Sequence, residues 1–341
     1  MKRCFLLVFI LFCIILPLLF TGCFTDSTKD SATDQSMRVL LNETIVCDSL
    51  AEAIMLAENQ DTIKLLNGSF TAGISINKTI HIKGMGENET IIHSTDQSDA
   101  AFTIESNHCV IENLSIISSN PDVHGIKINS TDNQLLNVSI TQSFYGLYIT
   151  KKSHNNSFNH VQISDCSYGG LIKSSNHNSF NNCMITNAAY YGLFFIRAKN
   201  SVVTNSDFSF CSYYGVYVDS GSDHSRIQGC NFSRNGAGLR LKSVTECYCS
   251  NSLFKENDNG IILCCGSNNN MVVMNAFVEN QMQATDDSGN IWSVNQTGNF
   301  WSDYQTTYPS ATSQDGIWNQ SYEIYKSGID THPLVTNPLT E

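Results

Sequence analysis

Short runs of alternating apolar and polar residues fill most of the chain and recur at a nearly constant interval. Each run carries a glycine followed by an apolar-x-apolar triplet, and the intervals between successive glycines are 21, 24, 22, 23, 23 and 22 residues. These glycines are Gly125, Gly146, Gly170, Gly192, Gly215, Gly238 and Gly260. Alternation with a period of two indicates β-strands with one buried face, and a fixed longer period indicates a solenoid with one coil per repeat. Similar strands begin at Gly73 and Ala101, so we predict an all-β, right-handed parallel β-helix of about nine or ten coils.

The predicted inward positions repeat like on like from coil to coil. One column of large apolar residues contains Ile116, Ile140, Ile163, Ile185, Phe208, Phe232, Phe254 and Phe277. Another column, which lies at a predicted bend rather than on an inward face, is mainly asparagine, with three exceptions: Asn113, Asn137, His160, Asn182, Asn205, Gly229, Asn251 and Met274. Asparagine tolerates the left-handed backbone region and its amide can bond to the next coil, so this column predicts an asparagine ladder at a bend. With Gly170 in the repeat column, Ile172 falls at an outward position and Lys173 at an inward one.

Both ends of a solenoid expose core and strand edges and must be covered. The segment from Asp48 to Glu58 predicts a helix with Asp48 as its N-cap and an apolar stripe of Leu50, Ile54 and Ala57. This helix should plug the N-terminal end of the rod. The body of the chain then divides into an N-terminal cap, a β-helix and a C-terminal cap, which span residues 37–60, 61–285 and 286–341 in that order.

The N-terminus has the features of an export signal. Within residues 1–22, Lys2 and Arg3 precede a long apolar stretch. Cys23 follows small residues, as the lipidated cysteine of a lipoprotein does, and we predict that it carries a lipid; an uncleaved anchor helix is the alternative. The polar residues 23–36 form a tether. Either arrangement places the body outside the cytoplasm, in the periplasm or on the cell surface, where eleven N-x-S/T sequons permit glycosylation.

The composition limits the classes of partner that the body of the chain is expected to bind. Hydrophobic residues make up 41% of the chain and charged residues 15%, which is typical of a protein that buries a core. The net charge of −12 opposes direct binding to nucleic acid or to an anionic membrane surface, because both would repel the chain. We therefore expect membrane contact only through the lipid or anchor. The 13 cysteines fall largely at repeat positions, where we expect small buried side chains rather than a disulfide framework.

Motifs near both ends resemble a known family. The segment Asp61–Phe70 (DTIKLLNGSF) is similar to the first coil of the pectin-lyase-like β-helices. Three tail motifs are similar to the ending of their NosD-type group: GNIW at 289–292, GNFWSDY at 298–304 and DTHPL at 330–334. The resemblance to NosD-type periplasmic copper-binding proteins and carbohydrate-binding (CASH) domains covers about residues 40–335. It implies a pectin-lyase-like fold and three functions to weigh: catalysis on polysaccharide, copper handling and glycan binding.

The residues available for metals are few. Many members of this family carry an acidic run that looks able to hold calcium, whereas the corresponding stretch here retains only Asp315, so we predict no calcium site and no cofactor. Copper(I) prefers sulfur ligands, and the candidates for it are Cys264 and Cys265. A periplasmic copper-handling accessory protein is accordingly the second alternative function.

Catalysis on polysaccharide would require particular side chains on the exposed strands. Glycoside hydrolysis uses two carboxylates about 5 to 10 Å apart. The outward column two residues past each repeat glycine contains no carboxylate: Lys127, Tyr148, Ile172, Phe194, Tyr217, Arg240 and Ile262. The neighbouring outward column offers only Asp219, near Lys242. The pattern favours a protein that is not an enzyme, with a polysaccharide lyase or hydrolase as the first alternative.

Aromatic residues cluster around the repeat glycines of the middle coils, often as tyrosine doublets. Superposed coils place them in parallel columns, which gives a predicted binding surface of Tyr145, Tyr148, Tyr168, Tyr191, Phe194, Tyr214 and Tyr217. Exposed rings can stack on sugar faces; the alternative is that they stack on one another and stiffen the turn. Lys127 and Arg240 bracket the surface, which would suit an acidic glycan. We predict an extracytoplasmic lipoprotein that binds a glycan or another cell-envelope component without catalysis.

Overall fold

The computed structural model describes residues 38–95, 97–118 and 120–340. These residues form a parallel β-helix with a cap at each end, as the repeat predicts, and two short helices are the only helices among them. Neither of the two is long and apolar enough to cross a bilayer. The predicted signal (1–22), the lipidation site Cys23 and the tether (23–36) lie outside the described residues.

The strands of the N-terminal cap and the first coils are short. They are β1 (Val39–Leu41), β2 (Ile45–Cys47), β3 (Thr62–Leu65), β4 (Gly68–Thr71), β5 (Ile74–Ile76), β6 (His81–Lys83), β7 (Thr90–His93) and β8 (Ala100–Ile104). Strands β1 and β2 form an antiparallel hairpin that opens the rod, and β1 also pairs antiparallel with β3. From β3 onward the pairing along the rod is parallel.

Helix α1 (Leu50–Leu56) covers the first coil, as predicted. Its N-cap is Ser49 rather than Asp48, because the Ser49 hydroxyl accepts a hydrogen bond from the Glu52 amide at 3.1 Å. The Glu52 carboxylate accepts a hydrogen bond in turn from the Asp48 amide at 2.6 Å, so Glu52 ties the start of the helix to the residue before its cap. The predicted apolar stripe is buried: Leu50, Ile54 and Ala57.

The middle coils repeat a three-strand unit, and the first two strands of the unit run together in β9 and β11. The strands are β9 (Val110–Ile117), β10 (His124–Ile128), β11 (Gln134–Thr141), β12 (Tyr145–Ile149), β13 (Ser157–Asn159), β14 (Gln162–Ser164), β15 (Tyr168–Lys173), β16 (Ser179–Asn181), β17 (Met184–Thr186), β18 (Tyr191–Ile196), β19 (Val202–Thr204), β20 (Asp207–Ser209), β21 (Tyr214–Asp219), β22 (Arg226–Gln228), β23 (Asn231–Ser233), β24 (Ala237–Lys242), β25 (Tyr248–Ser250), β26 (Leu253–Lys255), β27 (Asn259–Cys264), β28 (Met271–Val273), β29 (Ala276–Val278) and β30 (Met282–Asp286). The third strand of each coil belongs to one eleven-stranded sheet, which is extended by a short strand of the C-terminal cap, β35 (Tyr325–Lys326). The order is β35-β30-β27-β24-β21-β18-β15-β12-β10-β8-β5.

Parallel pairing superposes equivalent residues, which builds the core from stacked columns. Phe208 pairs with Phe232, and Phe232 pairs with Phe254, in consecutive coils. All three are essentially inaccessible to solvent. The predicted inward column of large apolar residues is confirmed, and its phenylalanine rings stack with centroids 5.4 and 4.9 Å apart.

The predicted register is wrong in one coil, at the glycine pair Gly169-Gly170. Leu147 pairs with Gly170, which leaves Gly169 in the repeat-glycine column. A Cβ atom on Gly169 would lie 2.3 Å from the Ile185 side chain and 2.4 Å from the Gly192 carbonyl oxygen, so only glycine fits there. The sequence could not separate the two glycines, since either gives an interval close to the average.

This one-residue correction reverses the faces of the next residues. Leu171, between Tyr148 and Phe194, occupies the outward column. Ile172 is buried in the core, contrary to the prediction, and Lys173 is exposed rather than inward. The lysine therefore does not interrupt the core.

The asparagine column has the predicted backbone conformation. All eight positions have φ between 50° and 66°: Asn113, Asn137, His160, Asn182, Asn205, Gly229, Asn251 and Met274. Within this column, however, the coil-to-coil amide bond joins only Asn137 to Asn113, at 3.0 Å. The buried amide ladders of the described residues lie at other turns and include Asn133, Asn156 and Asn178, and Asn235, Asn257 and Asn280. The residues of the asparagine column therefore turn the coil mainly through their left-handed backbone conformation and not through bonds between their side chains.

The C-terminal cap consists of β31 (Phe300–Trp301), α2 (Tyr304–Thr307), β32 (Ser313–Gln314), β33 (Ile317–Trp318), β34 (Tyr322–Glu323), β35 (Tyr325–Lys326) and β36 (Ile329–Asp330). Its two buried tryptophans each donate to a buried aspartate. Trp292 Nε1 lies 2.8 Å from Asp286 Oδ2, and Trp301 Nε1 lies 3.0 Å from Asp330 Oδ2. Trp301 stacks on Phe277 at 4.5 Å, so it continues the core column. The tail motifs thus close the rod.

Candidate functional site

Two adjacent columns of outward side chains run along the eleven-stranded sheet. The first column stands one residue before each repeat glycine and contains His124, Tyr145, Tyr168, Tyr191 and Tyr214. The second stands two residues after the glycine and contains Lys127, Tyr148, Leu171, Phe194, Tyr217 and Arg240. We use the name aromatic face for Tyr145, Tyr148, Tyr168, Tyr191, Phe194, Tyr214 and Tyr217. The structure brings all seven predicted rings together.

The rings of the aromatic face pack against one another along and across the columns. Tyr145 lies 5.0 Å from Tyr168, and Tyr191 stacks on Tyr214 at 5.2 Å between centroids. Tyr168 meets Tyr191 edge-on at 5.5 Å, which links the two pairs. Such offset and edge-on contacts hold aromatic rings in fixed orientations. The face is therefore a continuously packed surface, and the contacts between its rings cover part of their area.

The aromatic rings differ in the fraction of their surface that is exposed to solvent. Tyr217 is only 7% exposed, whereas Tyr190 and Tyr213, at the turn before the sheet, are 42% and 52% exposed. These two rings stack at 5.8 Å, and Tyr190 also stacks on Tyr168 at 4.9 Å. They form an open rim of the aromatic face that the predicted set left out. The tyrosine doublets were the signal for it, because the first ring of each doublet lies on the turn.

Arg240 closes the C-terminal end of the aromatic face. Its Nη1 donates to the Tyr214 hydroxyl at 2.6 Å, and its guanidinium carbon lies 5.2 and 5.3 Å from the Tyr214 and Tyr217 ring centroids. Its Nη2 donates to Cys264 Sγ at 3.5 Å. The cation is thus held over ring faces that attract it. Two of its five N–H groups donate to the protein, whereas its buried Nε has no hydrogen-bond partner among the described residues.

Next to Arg240, a carboxylate is paired on three sides. Asp219 Oδ2 accepts from the Tyr217 hydroxyl at 3.0 Å, and Oδ1 accepts from the Ser220 amide at 2.7 Å and lies 3.6 Å from Lys242 Nζ. Burial opposes ionisation of Asp219, but these three partners outweigh it and hold the pKa of the carboxyl below its usual value. Burial and the nearby carboxylate raise the pKa of Tyr217. Asp219 therefore stays charged and fixes the Tyr217 ring.

The N-terminal end of the face carries a carboxylate that the column analysis missed. Asp99 immediately precedes strand β8, and its Oδ2 accepts from Lys127 Nζ at 2.6 Å. This bond is the main reason that the pKa of Asp99 lies below its usual value. Counting from the repeat glycines could not find Asp99, because it lies before the strand, on the coil that has Ala101 in place of the glycine. Lys127 is thus already paired.

His124 lies beside this ion pair, under the first rings of the face. Its Nε2 is 3.8 Å from Asp99 Oδ1, and its ring centroid is 5.1 and 5.2 Å from those of Tyr145 and Tyr148. Burial lowers the pKa of His124, and the positive charge of Lys127 acts in the same direction, against Asp99. The imidazole is therefore neutral at pH 7. A neutral imidazole, a carboxylate, an ammonium group and two phenols meet at this end.

The two cysteines predicted as weak copper ligands can be compared with what a copper site requires. Cys264 is buried and Cys265 exposed, and their sulfurs lie 3.2 Å apart. No group of three or more His, Cys, Asp or Glu side chains that could hold a metal occurs in the part of the chain that the structure describes. The two sulfurs also share their surroundings with the Arg240 guanidinium, whose charge opposes a metal cation. Cys264 and Cys265, with the neighbours that the structure describes, therefore do not fit a copper site.

Comparison with known proteins identifies a family. The model of the family described as periplasmic copper-binding protein (NosD) matches residues 107–306, more than half of the chain. No curated protein matches the sequence.

Solved structures resemble the chain in fold. Tailspike protein 2 of bacteriophage CBA120 has a TM-score of 0.56 at 12% identity, over 67% of this chain and 40% of its own. The Dettilon tailspike protein has a TM-score of 0.53 at 12% identity, over 74% of this chain and 63% of its own. A mutant of the periplasmic alginate epimerase AlgG has a TM-score of 0.50 at 13% identity, over 71% of this chain and 69% of its own. The chain thus spans less than half of the first of these proteins. At such identities the likeness establishes a right-handed parallel β-helix.

Proposed function

The chain belongs to the NosD family, and we propose that it binds carbohydrate outside the cytoplasm through the aromatic face, without catalysing a reaction. In this proposal a lipid on Cys23, or an uncleaved N-terminal anchor, tethers the β-helix to the membrane. The family is described as periplasmic, which supports the extracytoplasmic location. A periplasmic alginate epimerase shares the fold, which supports a glycan as the class of ligand.

One observation carries the proposal: the packed rings of the aromatic face are bordered along one edge by an open rim of exposed rings. Tyr190 and Tyr213 offer exposed ring area beside hydroxyl groups, and the packed rings behind them fix their orientation. Sugars bind to such surfaces by laying their C–H faces on aromatic rings, while tyrosine hydroxyls bond to sugar hydroxyls. Successive coils lie about 4.8 Å apart, a distance comparable to the length of one pyranose ring, so an extended glycan can follow the column.

The charges near the face favour a neutral glycan over the acidic one that the sequence suggested. Lys127 is bound to Asp99 at 2.6 Å, Lys242 lies 3.6 Å from Asp219, and Arg240 bonds to Tyr214 at 2.6 Å. Lys127 and Lys242 therefore each have a carboxylate partner that an anionic ligand would have to displace, and the Arg240 guanidinium already donates to a phenol and packs over two ring faces. The chain also carries a net charge of −12, which repels polyanions.

A glycan array tests the proposal. We expect the wild-type protein to retain a neutral polysaccharide or oligosaccharide, and the double variant Tyr148→Ala with Tyr213→Ala to lose at least tenfold in affinity. The matched control is Tyr248→Ala, because Tyr248 is a half-buried outward ring on another sheet of the same rod. Equal binding by the double variant and the wild type would refute the aromatic face as the site. Preferential retention of acidic glycans would refute the expected selectivity.

A polysaccharide lyase or hydrolase is the second candidate, and the group at the N-terminal end of the face favours it. Asp99, His124 and Lys127 lie together beside Tyr148, and a neutral imidazole next to a carboxylate is able to move protons. The test is release of reducing or unsaturated ends from polysaccharides that the protein binds. Product formation that is lost in His124→Ala would establish catalysis and overturn the non-catalytic proposal.

A further inference from the structure

A pair of adjacent thiols lies at the C-terminal end of the aromatic face. Cys264 is the last residue of β27, next to Lys242 of the preceding coil. Cys265 follows it in the left-handed region, with φ of 61°. Their sulfurs are 3.2 Å apart, which is van der Waals contact or closer. No other sulfur–sulfur hydrogen bond occurs among the described cysteines, all of which are free thiols.

The backbone holds this pair in place from both sides. The Cys265 amide donates to Asp287 Oδ2 at 3.1 Å, and its carbonyl accepts from the Ser243 hydroxyl at 2.7 Å. The Cys264 carbonyl accepts from the Ser243 amide at 3.2 Å and from the Ser267 amide at 3.2 Å. The two neighbouring coils therefore fix the turn, and the approach of the sulfurs is a property of the fold.

The two thiols differ in accessibility and in surroundings. Cys265 is exposed, whereas Cys264 is 7% exposed. Among the ten described cysteines Cys265 alone is exposed. Arg240 Nη2 lies 3.5 Å from Cys264 Sγ, so a positive charge faces the sulfur that is shielded from solvent. An external disulfide can reach the exposed thiol first, and the shielded thiol in contact with it is placed to attack second.

We propose that Cys264 and Cys265 form a reversible vicinal disulfide when the protein meets an external disulfide such as oxidised glutathione. The Cys265 thiolate attacks one sulfur of the external disulfide, whose S–S bond breaks and releases one thiol. The Cys264 thiolate then attacks Cys265 Sγ in the mixed disulfide and releases the second thiol. Two electrons pass to the external disulfide, and the two protons from the cysteines end on the two released thiols.

Oxidation changes the end of the aromatic face. Cys264 Sγ accepts from Arg240, and Arg240 also bonds to Tyr214 and covers Tyr217. In the disulfide, Cys264 Sγ is bonded to Cys265 Sγ and drawn into a ring with it, so the sulfur no longer has the position of the free thiol that accepts from Arg240. Arg240 therefore loses one of its two hydrogen-bond partners, Tyr214 and Cys264, at the point where the ring column ends. This inference does not depend on the proposed glycan ligand.

Mass spectrometry of the folded full chain tests the proposal. After incubation with oxidised glutathione, alkylation and proteolysis, we expect one peptide that contains both cysteines, lacks the mass of two hydrogen atoms, and takes up two alkyl groups only after reduction. Peptide mapping separates this product from any reaction at the N-terminal cysteines. A wild-type protein that accumulates glutathione on Cys265, or that shows no reaction at this peptide, would overturn the proposal.

Three variants separate the roles of the residues. Cys264→Ser should keep a stable glutathione adduct on Cys265, because the resolving thiol is missing. Cys265→Ser should show neither adduct nor hydrogen loss at this peptide, because the remaining thiol is buried. Arg240→Gln should prolong the life of the mixed disulfide several-fold, since the cation that favours the Cys264 thiolate is gone. An unchanged lifetime in Arg240→Gln would exclude a role for Arg240 in the second step, and adduct formation in Cys265→Ser would contradict the assigned order.

Discussion

The phenylalanine column inside the rod and the aromatic face outside it are built by the same geometry. Inner rings stack at 4.9 Å from Phe232 to Phe254, and outer rings stack at 4.8 Å from Phe194 to Tyr217. Parallel pairing sets both distances, because each coil repeats its predecessor one strand spacing further along the rod. The stacking distance therefore says nothing about function. What separates the two regions is exposure and the polar groups at the column ends.

The inner column ends in groups that close it. It continues through Phe277 and Trp301 to Tyr322, with centroids 4.5 and 4.2 Å apart, and Trp301 is tied to Asp330. The outer columns end instead in paired charges that remain near solvent, and their edge is the exposed rim of Tyr190 and Tyr213. Closure indicates a structural role, and an open rim indicates a surface that can meet a ligand.

The largest expected effect is on the inner column. Phe232→Ala removes a ring that is inaccessible to solvent and stacks on both neighbours, so we expect a loss of about 3–5 kcal/mol in the free energy of unfolding. Urea unfolding followed by circular dichroism measures it. Phe232→Leu, which keeps most of the volume, is the control and should lose clearly less. A loss below about 1 kcal/mol for Phe232→Ala would mean that the column does not carry the core.

A smaller loss is expected at the buried amide ladder. Asn257 accepts from Asn235 and donates to Asn280 and to the Phe232 carbonyl, so Asn257→Ala leaves buried partners without hydrogen bonds. We expect a loss of about 1–3 kcal/mol in the same unfolding measurement. Asn251→Gly is the control, because this exposed residue has φ of 50°, which glycine adopts freely. Equal losses in the two variants would contradict the distinction between ladder and bend.

Substitutions in the outer rim should lower the affinity for the glycan more than they lower the stability of the protein. Tyr190→Ala removes one exposed ring with two stacking contacts, so we expect a loss of about 1 kcal/mol or less in unfolding free energy. Affinity for the glycan identified on the array should fall about tenfold, or about 1.4 kcal/mol, by isothermal titration calorimetry. A large loss of stability with unchanged affinity would show that Tyr190 has a structural role, like the rings of the inner column, and does not bind the glycan.

The smallest expected effect is on the pH dependence of stability, through His124 at the N-terminal end of the aromatic face. Since burial lowers the pKa of His124 in the folded state, the unfolded chain binds a proton more readily as the pH falls below about 6.5. Stability from this group is therefore present above that pH and is lost on acidification through the folded pKa. Thermal unfolding between pH 7 and 5 should show a shallower decline for His124→Gln than for wild type. An identical decline would show that His124 does not titrate as described.

Much of the fold could be predicted from the sequence because a parallel coil repeats its environment. An inward position such as Phe232 or Ile163 is surrounded by its own counterparts, so the type and spacing of the residues reveal the column. The aromatic face was predicted for the same reason. Its seven rings follow from the period, and the structure brings all of them together.

The repeat period of the sequence does not predict contacts that depend on a single residue or on the position of a neighbouring turn. It did not distinguish Gly169 from Gly170, which steric contact with Ile185 decides. It did not find Asp99, which precedes its strand and reaches Lys127 across one coil. It also left open whether Lys127 and Arg240 were available to a ligand.

The sequence by itself determined the coils, their inward columns, the capping helix and the aromatic side of this protein, since each is encoded by residues that recur or by a local motif. Only the tertiary structure decided which rings stay exposed, which cations are already paired, and that Cys264 meets both Cys265 and Arg240. The physical reason is that repetition specifies one strand stacked on the next, whereas exposure and charge pairing depend on side chains that reach across turns from different columns.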